Sequence, residues 1–157
     1  MVKKILFVCL GNICRSPAAE GICKQKVKDR DLDKFFLIDS AGTGGWHIGN
    51  LADSRMREAA AARGVNLTSR SRQIAKNDLY EFDHILVMDK DNLQAVRSLI
   101  TDQSNEIYSK IELILSYSKS SELGEVPDPY YGGKKGFEKV LDLLEDAIDG
   151  FLESFTY

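Results

Sequence analysis

The sequence has no apolar run long enough to cross a membrane, because its longest runs fall far below the roughly 18–20 residues that a spanning helix needs. Two lysines precede an apolar run that begins at Ile5, an arrangement that is also found in signal peptides. That run is only about five residues long, which is shorter than the apolar core of a signal peptide. We therefore expect a cytoplasmic protein with no membrane partner.

Basic residues are not in excess. The chain has 21 Lys and Arg against 24 Asp and Glu, so its formal net charge is −3. Because a nucleic-acid-binding protein usually carries a basic face, this balance argues against a nucleic-acid partner.

Cysteine and histidine are scarce. The three cysteines are Cys9, Cys14 and Cys23, an odd number that does not suit a secreted disulfide framework. The two histidines, His47 and His84, stand in unrelated stretches, and the cysteines lack the paired spacing of structural zinc sites. We therefore predict neither a metal site nor a cofactor.

The order of apolar segments predicts a single α/β domain over residues 1–157, a four-stranded parallel sheet with helices on both faces. Strands are expected at residues 3–8, 35–40, 84–88 and 111–115, of which the last is ambiguous, and helices at 17–29, 53–63, 90–100 and 136–154, with a helical turn at 77–82. Cys9, Ser40 and Asp89 follow strand ends, so such a sheet could bring them to the edge where ligands bind.

A helix start follows the first predicted strand closely. Ser16 is expected as its N-cap, Pro17 as its first residue and Glu20 in its first turn. The strand and the helix are therefore joined by a tight loop.

The loop from Cys9 to Arg15 is suited to hold a phosphoryl group. Gly11 and Asn12 readily accept positive φ, so backbone N–H groups can point inward, and the helix adds its positive end. Arg15 offers a planar, two-pronged donor for phosphate oxygens. The same donors would favour the Cys9 thiolate and stabilise the transition state. Cys-x5-Arg alone is a weak pattern, but strand, Cys-x5-Arg-Ser-Pro and helix together are much more specific.

The segment V-C-L-G-N-I-C-R-S-P at residues 8–17 resembles the signature of the low-molecular-weight protein tyrosine phosphatases. The similarity continues through D-S-A-G-T at 39–43 and V-P-D-P-Y-Y at 126–131 to the last helix, and so covers essentially the whole chain. It implies hydrolysis of phosphotyrosine in proteins through a phosphocysteine, and inhibition by inorganic phosphate or similar oxyanions. In that mechanism Cys9 is the nucleophile, Arg15 binds the phosphoryl group and Asp128 is the general acid and base.

Phosphotyrosine cleavage needs an acid to protonate the leaving phenolate and a base to activate water. Asp128 lies between two prolines in a rigid loop, where the family has its general acid. Asp89, after the third predicted strand, is the competing carboxylate.

The resemblance also implies roles for residues around these three. The expected phosphate-binding residues are Leu10, Gly11, Asn12, Ile13, Cys14, Arg15 and Ser16. Ser16 would stabilise the Cys9 thiolate by a hydrogen bond, and Asn12 would hold the loop through Ser40. Cys14 is implied as a redox residue that forms a reversible disulfide with Cys9.

Trp46, Tyr130 and Tyr131 are expected to form the aromatic walls of a deep cleft. Such a cleft admits a phenyl phosphate but keeps the shorter phosphoserine away from the thiolate. One departure from the family is Ser69, which stands where animal members carry a histidine.

Three alternatives remain open. Arginine-phosphate phosphatases share the loop but typically place threonine where this chain has Ile13. Arsenate reductases of similar fold need a late cysteine pair, and no cysteine follows Cys23. The third alternative is a non-catalytic phosphotyrosine-binding module, which the presence of Cys9, Arg15 and Asp128 disfavours.

Overall fold

Four parallel strands form the centre of the molecule. The structure is a computed structural model that describes residues 1–101, 105–121, 124–130 and 132–155. Its strands are β1 (Lys3–Cys9), β2 (Phe36–Gly42), β3 (His84–Val87) and β4 (Ile111–Leu113), in the order β2-β1-β3-β4. All three strand pairs are parallel, so the predicted α/β fold is confirmed.

Helices cover both faces of this sheet. They are α1 (Arg15–Asp29), α2 (Ser54–Ala61), α3 (Asp78–Glu81), α4 (Lys90–Arg97), α5 (Asn105–Lys110) and α6 (Lys134–Glu153), with short 3-10 helices at Asp33–Phe35 and Ile114–Tyr117. Within the described ranges no helix is long and apolar enough to span a membrane.

The apolar run in β1 serves two cores. Successive side chains of a strand point to opposite faces, so a strand covered on both sides is apolar throughout. Ile5 and Phe7 join a cluster with α1, α2 and α6, whereas Leu6 and Val8 join a second cluster with α3 and α4. The predicted core helix at the end of the chain is confirmed, since α6 buries its i, i+3, i+4 stripe in the first cluster.

The start of α1 differs from the prediction. The helix begins at Arg15 with Cys14 at the N-cap position, so the assignment of Ser16 as N-cap is wrong. Glu20 also lies beyond the first turn, which contains no acidic residue. Ser16 does not cap the helix because its hydroxyl is used by neighbours in the candidate site. Pro17 is the third residue of the helix and not the first as predicted; it is tolerated there because the first N–H groups of a helix have no intrahelical acceptor.

Other boundaries differ by a few residues. β2 starts one residue later than predicted and continues to Gly42, and β1 includes Cys9, so Cys9 and Ser40 lie within strands and not after them. β4 ends at Leu113 because the chain turns into a 3-10 helix, and α5 was not predicted.

His84, at the start of β3, is half-buried between aromatic rings. Its ring lies edge-on to Phe151 and Phe155, with centroids 5.3 Å apart in both pairs. Burial lowers the pKa of His84, although the carboxylates of Glu112 and Asp83 act in the opposite direction.

We expect the free energy of unfolding to fall as the pH drops through the ordinary histidine range. The unfolded chain takes up a proton there that the folded state resists, so stability at His84 is present at higher pH and lost on acidification. Urea unfolding of the wild type and His84→Phe at about pH 8 and about pH 5 tests this, and the variant should lose less stability between them. Equal losses in the two proteins would contradict the prediction.

Candidate active site

The 9–15 loop connects the end of β1 to the start of α1. Asn12 has a left-handed backbone with φ 56°, whereas Gly11 does not have positive φ, so the expectation of positive φ holds for Asn12 only. A Cβ at Gly11 would lie 3.1 Å from Cδ2 of His47, so a side chain there would require the His47 ring to shift by a few tenths of an ångström. The loop thus turns at Asn12 and lies close to His47.

Cys9 is almost fully buried and contacts a network of polar side chains. Its Sγ is 3.0 Å from Oγ of Ser16, which also lies 3.3 Å from the carbonyl oxygen of Ala41. Nδ2 of Asn12 donates to Oγ of Ser16 at 2.7 Å and to Oγ of Ser40 at 3.0 Å. The contacts expected for Ser16 with Cys9 and for Asn12 with Ser40 are therefore present.

Arg15 is also buried, and it joins three parts of the chain. Its Nη1 donates to Oδ2 of Asp89 at 2.6 Å and to the carbonyl oxygen of Val126 at 3.1 Å, while Nη2 is 3.7 Å from Oδ2 of Asp128. Burial alone would lower the pKa of Arg15, but the negative charges of Cys9, Asp89 and Asp128 outweigh it and raise that pKa. The guanidinium is therefore a fixed positive charge beside Cys9.

The two candidate carboxylates have different surroundings. Both carboxylate oxygens of Asp89 accept hydrogen bonds from the protein. Oδ2 accepts from Arg15, and Oδ1 accepts from the backbone N–H of Asn92. Asp128 accepts from the backbone N–H of Tyr130 at 3.0 Å, and its side chain is 46% exposed. Asp128 is thus the carboxylate that can meet a substrate and water.

A cavity of about 250 Å³ lies over the 9–15 loop. Its lining residues are Cys9, Leu10, Gly11, Ile13, Cys14, Arg15, Trp46, His47, Asp128 and Tyr130. The cavity thus brings together the predicted nucleophile, arginine, acid and two of the predicted aromatic walls. Tyr131 lies outside the described residues, and His47 was not predicted as a cleft residue.

Arg55 supports the wall that Tyr130 forms. The backbone N–H of Asp53 donates to the carbonyl oxygen of Ile13 at 2.7 Å, and the Asp53 carboxylate caps α2 and binds the Arg55 guanidinium. Cζ of Arg55 lies 5.3 Å from the Tyr130 ring centroid and 4.8 Å from that of Phe137. An Asp-Ser-Arg segment at a helix start is the only sequence signal for this arrangement, and it was not recognised.

Segment 69–72 holds the 9–15 loop from outside. The backbone N–H of Arg72 donates to Oδ1 of Asn12 at 3.0 Å, and Oγ of Ser71 donates to the carbonyl oxygen of Gly11 at 3.0 Å. The Arg72 side chain is fixed in turn by Asp39 and Asp78. Ser69, the departure from the family pattern, is half-buried in the same segment.

The other two thiols are poor nucleophiles. Burial raises the pKa of Cys14 to about 12, with a further contribution from Asp53, and burial raises that of Cys23 to about 12. In the described parts of the chain, no group of three or more His, Cys, Asp or Glu side chains could hold a metal ion.

We expect iodoacetamide at neutral pH to modify Cys9 and to leave Cys14 and Cys23 thiols intact, because alkylation requires the thiolate. Mass spectrometry of the folded protein should show one label, which Cys9→Ser abolishes. Cys23→Ser is the matched control and should keep one label. A second label in the folded wild type would contradict the prediction.

Comparison with known proteins agrees with this geometry. The family model for low molecular weight phosphotyrosine protein phosphatases matches residues 4–156. A Synechocystis protein assigned to the same class is 46% identical over 151 residues, which cover 96% of this chain and 95% of that protein.

Solved structures match equally well. A protein tyrosine phosphatase from Entamoeba histolytica has a TM-score of 0.92 at 42% identity, covering 97% of this chain and 96% of its own. A Drosophila arginine phosphatase has a TM-score of 0.90 at 32% identity, covering 98% of each chain. By the match of nearly its whole length, this chain belongs to the low-molecular-weight phosphotyrosine protein phosphatase family.

Proposed function

We propose that this protein is a tyrosine phosphatase that hydrolyses phosphotyrosine in proteins through a phosphocysteine. The observation that carries the proposal is one cavity lined by the Cys9 thiol, the Arg15 guanidinium and the Asp128 carboxylate. We extend the proposal to the whole chain, residues 1–157, as one phosphatase domain. A cytoplasmic location is proposed from the sequence alone.

Substrate binding is assigned to Arg15 and the backbone N–H groups of the 9–15 loop. Asp89 and the Val126 carbonyl hold Nη1 of Arg15, so Nε and Nη2 are the donors that we assign to phosphate oxygens. The N-terminus of α1 adds positive potential at the same place. These donors meet the oxygens whose charge must be stabilised at the transition state.

The first chemical step transfers the phosphoryl group to Cys9. The thiolate forms the P–S bond as the bond from phosphorus to the phenolic oxygen breaks, and protonated Asp128 gives its proton to that oxygen. In the second step the Asp128 carboxylate takes a proton from water, the water oxygen attacks phosphorus, and Cys9 leaves as the thiolate. Ser16 donates its hydroxyl hydrogen to Cys9 when the sulfur is negatively charged.

The shape of the cavity supports an aryl phosphate as substrate. Trp46 and Tyr130 flank the opening, while Cys9 lies at the buried end. A tyrosine side chain is long enough to carry its phosphate to Cys9 between aromatic walls, whereas a phosphoserine is shorter.

Cys14 is proposed as a redox partner of Cys9. Both line the same cavity. A peroxide would oxidise the Cys9 thiolate to a sulfenic acid, and the Cys14 thiol would then condense with it to give a disulfide and water.

Substrates with different leaving groups distinguish Asp128 from Asp89. Asp128→Asn should lower kcat/KM, which reports phosphoryl transfer to Cys9 and not the later hydrolysis, by about 10²–10³-fold with phenyl phosphate but by at most about tenfold with 2,4-dinitrophenyl phosphate, whose phenolate needs no proton. Asp89→Asn should slow both substrates by a similar factor, because Asp89 orients the arginine that binds every phosphate. The opposite pattern would make Asp89 the general acid.

Cys9→Ser is the reference for the covalent mechanism. We expect it to lower kcat by at least about 10³-fold for both substrates, since serine is a far weaker nucleophile at neutral pH. A folded wild type that binds phosphate but does not turn over either substrate would favour a binding module instead.

The choice between phosphotyrosine and phosphoarginine depends on Ile13 in this chain. The similarity to an arginine phosphatase shows that the fold alone does not separate the two activities. The Ile13 side chain in the cavity lining has no polar atom for a guanidinium group. We expect kcat/KM for a phosphotyrosine peptide to exceed that for a phosphoarginine peptide by about 100-fold or more.

Ile13→Thr tests this assignment. The variant should lower the ratio of kcat/KM for the phosphotyrosine peptide to kcat/KM for the phosphoarginine peptide. It would do so by slower phosphotyrosine turnover, faster phosphoarginine turnover, or both. A wild type that prefers phosphoarginine would reverse the assignment.

A further inference from the structure

Glu20 is a buried carboxylate that the proposed reaction does not use. It lies in α1 and is 4% exposed. Its Oε1 is 2.5 Å from Oγ of Ser40, and its Oε2 is 2.6 Å from Nζ of Lys24, a largely exposed side chain. Burying a carboxylate is costly unless its oxygens are paired, and the contacts with Ser40 and Lys24 provide one partner for each oxygen.

The hydrogens in this network can be assigned by counting donors and acceptors. An ionised carboxylate only accepts, so the Ser40 hydroxyl must donate to Glu20. The lone pairs of Ser40 are then available for Nδ2 of Asn12. The amide of Asn12 cannot be reversed, because its Oδ1 accepts from the backbone N–H of Arg72.

The second hydrogen of Asn12 Nδ2 points to Oγ of Ser16. Ser16 therefore accepts from Asn12, and its own hydrogen is left for Sγ of Cys9 or the carbonyl oxygen of Ala41. When Cys9 is a thiolate, the charge-assisted bond to sulfur is the stronger choice. With Cys9 as a thiolate, every hydrogen bond in the chain that links Glu20 to Cys9 therefore has one assigned donor and one assigned acceptor.

We propose that Glu20 is a positioning residue for the nucleophile: its carboxylate fixes the Ser40 hydroxyl, and through Asn12 and Ser16 it favours the Cys9 thiolate. This inference rests on the proposed function, because it assigns Glu20 a role at the same nucleophile. Removal of the carboxylate leaves the Ser40 hydroxyl without its acceptor, and Asn12 then holds Ser16 less firmly. The thiolate loses part of the hydrogen bond that stabilises it.

The test is the pH dependence of Cys9 alkylation by iodoacetamide, followed by mass spectrometry. The alkylation rate follows the thiolate fraction, and Arg15, Cys14, Asp89 and Asp128 around the sulfur are the same in all variants. Glu20→Met, which removes the acceptor at similar size, should displace the midpoint of the profile to higher pH. One pH unit below the wild-type midpoint, its alkylation should be about three- to tenfold slower.

Two further variants separate this role from a structural one. Glu20→Gln keeps an acceptor of the same shape but without the charge, and we expect it to slow alkylation about twofold at that pH. Lys24→Gln is the matched control, because it removes the other partner of Glu20 and leaves the bond to Ser40, so its profile should equal that of the wild type.

The route through Ser40 is tested by combining variants. Ser40→Ala should displace the midpoint in the same direction, and adding Glu20→Met should displace it no further, since both changes break one chain of hydrogen bonds. Additive displacements would overturn the proposed route.

Thermal melting first shows whether Glu20→Met and Glu20→Gln are folded. If both fold and the midpoints of their alkylation profiles equal that of the wild type, the proposal is overturned. If Glu20→Met does not fold, the profile of Glu20→Gln decides alone. Alkylation needs no substrate. A protein with the expected displacements but no phosphatase activity would therefore refute the proposed function and support the role of Glu20.

Discussion

The left-handed backbone at Asn12 is the constraint on which the site depends. It turns the chain between β1 and α1. The Asn12 amide then forms hydrogen bonds with Ser16 in α1, Ser40 in β2 and the backbone of Arg72. Asparagine suits both tasks, because it tolerates positive φ better than most residues and carries both donors and an acceptor. One side chain therefore sets the shape of the loop and ties it to three separate segments.

Charge in the site is arranged around a single buried cation. Arg15 faces Asp89 on one side and approaches Asp128 on the other, so the two carboxylates fix the orientation of its guanidinium. Desolvation raises the pKa of Cys14 and of Cys23 to about 12, so both thiols are protonated at neutral pH. Cys9 differs from these two thiols in its surroundings, because the Ser16 hydroxyl lies 3.0 Å from its sulfur.

Local patterns in the sequence predict the strand, the loop and the helix, and with them the approximate positions of Cys9 and Arg15, whereas Asp128 was identified through the family resemblance. The pairing of Arg15 with Asp89, and of Asn12 with Arg72, links residues 74 and 60 positions apart, which periodicity cannot reveal. The N-cap assignment failed for the same reason. A Ser-Pro pair favours a cap locally, but tertiary contacts use the Ser16 hydroxyl and move the helix start to Arg15.

The contact between Gly11 and His47 couples two positions that are far apart in sequence. Because the backbone of Gly11 is not left-handed, its torsion angles alone would not exclude larger residues. The His47 ring is what opposes them, since a Cβ at position 11 would lie 3.1 Å from it. The two positions are therefore in steric contact, and a side chain at position 11 would require the ring at position 47 to shift by a few tenths of an ångström. In a designed library, we expect larger residues at position 11 to be accepted most readily together with changes at position 47.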